Sequence, residues 1–313
     1  GELVRPLRRA GIYVDGPGGN PAAVITGVVA AQVAGVLGIA VSAPPGAAGE
    51  VAEATLAACA ITGVDEVYRI GGAHAIAAMA YGTETVRPVE SVFGVGGRYV
   101  TTAQRLVRGW VGTGPACRPS ELVIIADETS APRVIAADLI ANAARGPGGT
   151  HAVLTTNEGP LEEVVAALDA QVPSLSGGED IENALIEGGR AILVRDLDHA
   201  LETVNAFAPQ HLVLAIARPQ DALERVRKAG SVVLGDAAPV SVLPYLTGGA
   251  GGVPTGGTAR WDSALSPRDF VTTIPVSGTD ETAVQSSAAA LVALSRAEGS
   301  TADQGALSLR FGR

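Results

Sequence analysis

Four histidines, His74, His151, His199 and His211, are the side chains best suited to moving a proton near neutral pH. None stands in an HxxxH or HExxH spacing, so no helical zinc pair is written into the chain. His199 follows Asp196 and Asp198 at the start of a helical stretch and reads as a solvated residue. His151 lies in a Gly-rich turn just ahead of a strand and reads as structural. His211 differs, because Ala208-Pro209-Gln210-His211 breaks the chain immediately ahead of the strand expected at Leu212 to Ile216. A strand-edge loop of that kind is where α/β folds set catalytic groups. An imidazole there, with an unperturbed pKa of about 6.5, suits acid/base work. Two glycine clusters could hold an anion on backbone N–H groups at a helix start: Gly16, Gly18 and Gly19 beside Asn20, and Gly94-Val95-Gly96-Gly97. Both fail the GxGxxG spacing, with Pro21 and Tyr99 where the last glycine belongs, and the first reads equally well as a plain turn. No Walker loop, GxSxG elbow or SxxK motif is present.

The elements that must carry these residues alternate. Strands are expected at Gly11 to Val14, Leu37 to Ser42, Glu66 to Ile70 and Ser91 to Phe93. Helices fall between and after them in the Ala/Val-rich stretch that follows a Gly/Pro turn at Asp15 to Pro21, and at Ala43 to Ile61, Ala73 to Ala80 and Tyr99 to Arg108. Leu122 to Ala126 is a continuous apolar run, the mark of a strand buried on both faces. It is followed by a helix at Pro132 to Ala144 and by further apolar runs at Ala152 to Leu154, Ala191 to Val194, Leu212 to Ile216 and Val232 to Leu234. Helical stretches at Leu161 to Leu168, Leu197 to Phe207 and Gln220 to Ala229 separate them. This rhythm predicts an α/β protein of two Rossmann-like domains with largely parallel sheets and a C-terminal helical arm. We place the first domain at 1–119, the second at 120–270 and the C-terminal helix with its arm at 271–313. Leu246 to Gly257 is glycine-rich and is expected to be a loop, and the arm carries a short apolar stretch at Leu307 to Leu309.

A chain of 313 residues, 47% hydrophobic and 17% charged, has enough apolar material for two cores. The net charge of −10, from 22 basic against 32 acidic residues, argues against nucleic acid or an anionic membrane as a partner. Two cysteines, Cys59 and Cys117, are too few for a disulfide scaffold. No apolar run reaches the roughly 18 residues of a membrane span, and no apolar stretch directly follows the basic N-terminus as in a signal peptide. The expectation is a cytoplasmic protein acting on a small molecule.

Several collinear segments resemble histidinol dehydrogenases: Arg5-Pro6-Leu7 through Val14, Gly71-Gly72-Ala73-His74, Tyr81-Gly82-Thr83-Glu84, Phe93-Gly94-Val95-Gly96, Pro119-Ser120-Glu121, Ala208-Pro209-Gln210-His211-Leu212, Ala229-Gly230-Ser231 through Asp236, and Leu307-Ser308-Leu309-Arg310. The resemblance begins well inside a typical member. It implies a homodimer with an exchanged C-terminal arm, and a zinc- and NAD-dependent oxidation of an amino alcohol to an acid. Position by position, the implied site is altered. The zinc-holding Gln and His of a QAEHG segment fall on Asn142 and Arg145, a ligating Asp falls on Pro244, and the arm's ligating His falls on Asp303. An arginine repels a divalent cation and proline offers no donor, so no metal is expected. The acid/base Glu-His pair is Gln210-His211, leaving His211 as the catalytic residue. The substrate-contacting histidine of the Gly-rich loop falls near Gly251. Ser120, Asn142, Arg145, Gln210, Glu298 and Asp303 are the expected substrate-side residues, and Tyr13, His74 and Gly97 occupy the NAD-side positions. From these departures we expect a zinc-independent acid/base enzyme, an isomerase, cyclase or imine-forming catalyst of a small amine-containing or cyclic molecule. Two alternatives stand beside it: an NAD-dependent dehydrogenase of an amino alcohol, and a catalytically inactive partner subunit.

Overall fold

The computed structural model describes residues 1–16, 18–115, 119–247 and 252–311; Pro17, Cys117 and the loop positions Gly248 to Gly251 lie outside the described residues. The chain opens with β1 (Glu2–Pro6) and then winds a first sheet from β2 (Arg9–Val14), α1 (Pro21–Ala34), β3 (Gly38–Ser42), α2 (Glu53–Thr62), β4 (Glu66–Tyr68), α3 (Gly72–Tyr81), β5 (Ser91–Val95), α4 (Arg98–Val107) and β6 (Gly112–Thr113). A second sheet follows from β7 (Glu121–Ala126), α5 (Pro132–Ala143), β8 (Thr150–Thr155), α6 (Glu158–Gln171), α7 (Gly178–Gly188), β9 (Gly189–Leu193), α8 (Leu197–Phe207), β10 (His211–Ala215), α9 (Pro219–Leu223) and β11 (Ser231–Leu234). The spatial orders are β4-β3-β2-β5-β6 and β11-β10-β7-β8-β9, and the pairings within each sheet are parallel. Each sheet therefore starts in its middle, runs to one edge and returns to the other. Its strand order reverses between β2 and β5 in the first sheet and between β7 and β10 in the second.

The local sequence explains these elements. Asn20 caps α1 by accepting the Ala23 amide on its side chain at 3.0 Å, Pro21 fills the first turn, and Gly35 in a left-handed conformation ends the helix. Along β2, Ile12 and Val14 enter one core with Val24 and Val28 of α1, while Tyr13 enters another with Ile76, Met79 and Val92. Two cores on two faces are what a doubly covered parallel sheet requires. β7 is buried at all six positions, and its alternate residues feed the two cores of the second sheet.

Each reversal point is braced in the same way. Asp15, directly after β2, accepts the Gly97 amide just beyond β5 at 3.0 Å. Asp127, directly after β7, accepts the Ala217 amide just beyond β10 at 2.8 Å. At the first reversal, Gly94 has φ +140°, and a Cβ there would lie on the Tyr13 carbonyl, so only glycine fits.

Residues 6–271 form one compact unit, which includes the short α10 (Leu243–Leu246). Gly1–Arg5 and Thr272–Arg313 form another, containing β12 (Val271–Pro275) paired with β1, then α11 (Glu281–Ser286), α12 (Ala288–Ala297) and α13 (Thr301–Phe311). In it Val276 N donates to the Gly1 carbonyl at 2.8 Å, and Asp280 caps α11 through the Ala283 amide at 2.7 Å.

Some expected elements differ. The helix expected from Ala43 is confined to Glu53–Thr62, because Pro44, Pro45 and Gly46 cannot sustain an earlier start. That expected over Gln220 to Ala229 is the five-residue Pro219–Leu223. The C-terminal arm is helical through Phe311. No helix among the described residues is long and apolar enough to cross a membrane.

Candidate active site

The reversal point of the first sheet and the amino-terminal edge of the second share a cavity of 840 Å³. From the first sheet it is lined by Phe93, Gly94 and Val95 at the end of β5, by Asn20 and Ala23 at the start of α1, and by Arg98 and Arg105 of α4. From the second it is lined by Ser120 before β7, Arg145 after α5, and Gln210 and His211 at the start of β10. The loop expected to present His211 is shorter than the sequence reading placed it. His211 is itself the first residue of β10, in register between Leu122 of β7 and Ser231 of β11, and only 5% exposed. The Pro209 break ends one residue earlier than expected because the imidazole's own backbone joins the sheet.

His211 Nδ1 meets Ser231 Oγ at 2.6 Å. Burial first, and then the positive charge of Arg145, push its pKa down to about 4, so it is a neutral base at physiological pH. With Nδ1 held by Ser231, Nε2 is the nitrogen left for proton transfer.

A polar cluster supports it. Ser120 Oγ lies 2.7 Å from Asn142 Oδ1 and 3.0 Å from Gln210 Oε1, and Gln210 Oε1 also accepts the Glu121 amide at 3.1 Å. One hydroxyl proton thus faces two amide oxygens. Asn142 Nδ2 donates to the Thr150 carbonyl at 3.3 Å and to His151 Nδ1 at 2.8 Å. His151 is 1% exposed, its pKa is lowered by burial, and its Nε2 is buried with no hydrogen-bond partner. On the other side of Gln210, the Glu121 carboxylate accepts the Gln210 amide at 3.2 Å and the Gly256 amide at 2.9 Å, while burial raises its pKa. The sequence analysis gave Glu121 no role of its own. The signal it missed is that Glu121 opens a strand with no exposed position.

The remaining expected residues are dispersed. Tyr13 is buried; its hydroxyl accepts the Gly72 amide at 3.0 Å and donates to Asp15 at 3.3 Å. Gly97 caps α4 and donates to the same aspartate, so Tyr13, Asp15 and Gly97 form one chain of bonds behind the first reversal point. His74 is exposed on α3. Glu298, which ends α12, and Asp303, in the first turn of α13, are exposed residues of the C-terminal unit. Gly251 lies outside the described residues.

Zinc does not fit the described residues. Asn142 spends its oxygen and nitrogen on Ser120, Thr150 and His151, Arg145 is cationic, and Pro244 brings no donor to the cavity wall. Among the described residues no group of three or more His, Cys, Asp or Glu could hold a metal ion. A dinucleotide does fit. The carboxyl-end crevice at a strand-order reversal, with the start of α1 and the guanidinium groups of Arg98 and Arg105, suits its phosphates.

The family model for histidinol dehydrogenase matches residues 1–311. The chain is 42% identical over 312 residues to a histidinol dehydrogenase of Thermus thermophilus, covering 99% of this chain and 74% of that one. To the histidinol dehydrogenase of Bacillus anthracis it is 40% identical over 315 residues, covering 100% of this chain and 73% of the relative. The crystal structure of histidinol dehydrogenase from Elizabethkingia anophelis superposes with a TM-score of 0.91 at 30% identity, covering 99% of this chain and 72% of that one. These likenesses overturn the expectation of a metal-free isomerase, cyclase or imine-forming enzyme, because the identity runs the length of the chain and points to histidinol dehydrogenases themselves. With the same fold and this identity along its length, the chain belongs to the histidinol dehydrogenase family of enzymes.

Proposed function

We propose that this protein oxidises histidinol, or an amino alcohol closely like it, with NAD as hydride acceptor. The observation that carries the reading is the cavity, which joins the carboxyl-end crevice of the first sheet to a buried neutral imidazole at the edge of the second. NAD, when bound, supplies the site that receives the hydride, with Arg98, Arg105 and the start of α1 holding its phosphates. His211 Nε2 takes the proton of the substrate hydroxyl as the carbon-bound hydrogen leaves, gives it up to solvent, and takes another from the hydrated aldehyde in the second oxidation, each oxidation requiring one NAD. Ser231 fixes the imidazole's orientation through Nδ1. Gln210 cannot accept a proton; its side chain ties Ser120 to the β7 backbone and so shapes the wall on which the substrate rests. The reading carries with it a homodimer in the cytoplasm, with a small molecule as its partner.

The test is the appearance of NADH absorbance on mixing the protein with L-histidinol and NAD. The expected result is turnover that falls at least a hundredfold in His211→Asn with an unchanged melting temperature, within the range of about 10²–10⁴ attached to a general base. No NADH from histidinol, or full activity in His211→Asn, overturns the proposal.

A further inference from the structure

Behind the Ser120 wall of the cavity lies a buried imidazole that the reaction does not use. His151 is 1% exposed on β8 and does not line the cavity. Burial lowers its pKa, so the ring is neutral and one of its two nitrogens accepts rather than donates. Nδ1 lies 2.8 Å from Asn142 Nδ2, an amide nitrogen that can only donate. Nδ1 is therefore the acceptor, and the ring proton sits on Nε2, which is buried with no hydrogen-bond partner. A side chain that merely filled this space would do so better without an unmet N–H. What the imidazole supplies is the acceptor at Nδ1.

That acceptor sets the direction of the cluster. With Asn142 Nδ2 turned to His151 and to the Thr150 carbonyl, Asn142 Oδ1 is turned to Ser120 Oγ at 2.7 Å. Gln210 Oε1 approaches the same hydroxyl at 3.0 Å and is fixed by accepting the Glu121 amide, so it cannot exchange ends with its nitrogen. Three oxygens meet around one proton, and that proton stays inside the cluster. Toward the cavity, which Ser120 and Gln210 both line, Ser120 presents lone pairs and no hydrogen. Without His151 the Asn142 amide is held only by the Thr150 carbonyl at 3.3 Å. Turning over, it brings its nitrogen to Ser120, which occupies a lone pair and removes one of the three oxygens.

We propose that His151 is a positioning residue that acts through Asn142 to make Ser120 an acceptor, so that this wall of the cavity selects a ligand presenting an ammonium group. The choice of ammonium rests on the dehydrogenase reading, because an amino alcohol carries one.

Two variants separate the acceptor from the space it fills. His151→Asn keeps an oxygen near the Nδ1 position, and His151→Leu fills the site without an acceptor. The whole protein is titrated calorimetrically at pH 7.5, without NAD, with L-histidinol and with 3-(imidazol-4-yl)propan-1-ol, which lacks the amine. Wild type and His151→Asn are expected to prefer L-histidinol by about tenfold or more, the size of one charge-assisted hydrogen bond. In His151→Leu that preference shrinks by at least about threefold. Nitrogen-15 correlation spectra of the wild type, with His151 assigned by its disappearance in His151→Asn, are expected to place the ring proton on Nε2; this readout stands even if His151→Leu does not fold. A ring proton on Nδ1, a wild type that shows no preference or binds neither probe, a preference lost in His151→Asn, or one undiminished in His151→Leu overturns the proposal. No turnover is required, so an ammonium preference that depends on His151, without NADH formation from histidinol, removes the dehydrogenase reading and leaves the role of His151 standing. NADH formation with the ring proton on Nδ1 does the reverse.

Discussion

Asp138 and His211 titrate in opposite senses across one pH window, and replacing either exposes the other. Asp138 is 6% exposed on α5, and burial raises its carboxyl from the ordinary 3.8 to about 6. The folded state therefore keeps a proton that the unfolded chain has released, and stability falls as pH rises from 3.8 through 6. His211 goes the other way, from 6.5 down to about 4, so the unfolded chain binds a proton first and stability falls as pH drops through that interval. At ~1.4 kcal/mol per pKa unit, each gap corresponds to about 3 kcal/mol over nearly the same range. In the wild type the two oppose each other. In urea denaturation between pH 4 and 7.5, Asp138→Asn is expected to gain on the wild type by about 3 kcal/mol as pH rises, and His211→Asn to gain by a similar amount as pH falls. Glu121, with its raised pKa, and His151, with its lowered one, titrate in both variants and in the wild type, so they cancel from these differences. Variant curves running parallel to the wild type at all pH values would refute the assignment of either group as buried and perturbed.

Three other perturbations have defined outcomes. Asn142→Ala strips the donor from His151 Nδ1 and the Thr150 carbonyl, and is expected to cost about 1–3 kcal/mol in thermal or urea melts; an unchanged midpoint means the cluster contributes nothing. Gly94→Ala drives a methyl group into the Tyr13 carbonyl at a left-handed position, and should cost at least about 3 kcal/mol, read as lost soluble yield or a lowered melting temperature. Glu66 receives Arg9, Arg87 and Tyr68, which hold its carboxyl near 2, so its contribution is complete above 4.5 and vanishes as pH falls toward 2; Glu66→Gln is expected to flatten the acid limb of the stability curve there.

The sheets were legible because their signal is continuous: Leu122 to Ala126 can hardly be anything but a doubly buried strand, and Leu197 to Phe207 is a helix at both ends as read. His211 was legible as a residue poised at a strand start, since Pro209 marks the break. What escaped was pairing across long sequence separations. Nothing in the spacing of Ser120, Asn142, His151 and Gln210 shows that they meet, because parallel strands separated by helices bring distant segments together at one sheet edge. α7 escaped for another reason: Gly177 and Gly178 look like a loop, and the buried stripe behind them rests on just Ile181 and Ala184. The functional expectation failed by weighting a handful of altered positions above identity along the whole chain. Single positions report on local chemistry, whereas identity throughout reports on descent.

The aspartate brace occurs twice, but only one of the braced crevices opens on the cavity. At the second reversal point Asp127 closes the gap to Ala217, and the neighbouring exposed residues Glu128 and Arg218 are absent from the cavity lining. That end of the second sheet is consequently an attachment point: a fluorophore, affinity tag or tether placed at Glu128 or Arg218 reads or immobilises the half of the molecule carrying His211 without entering the cavity.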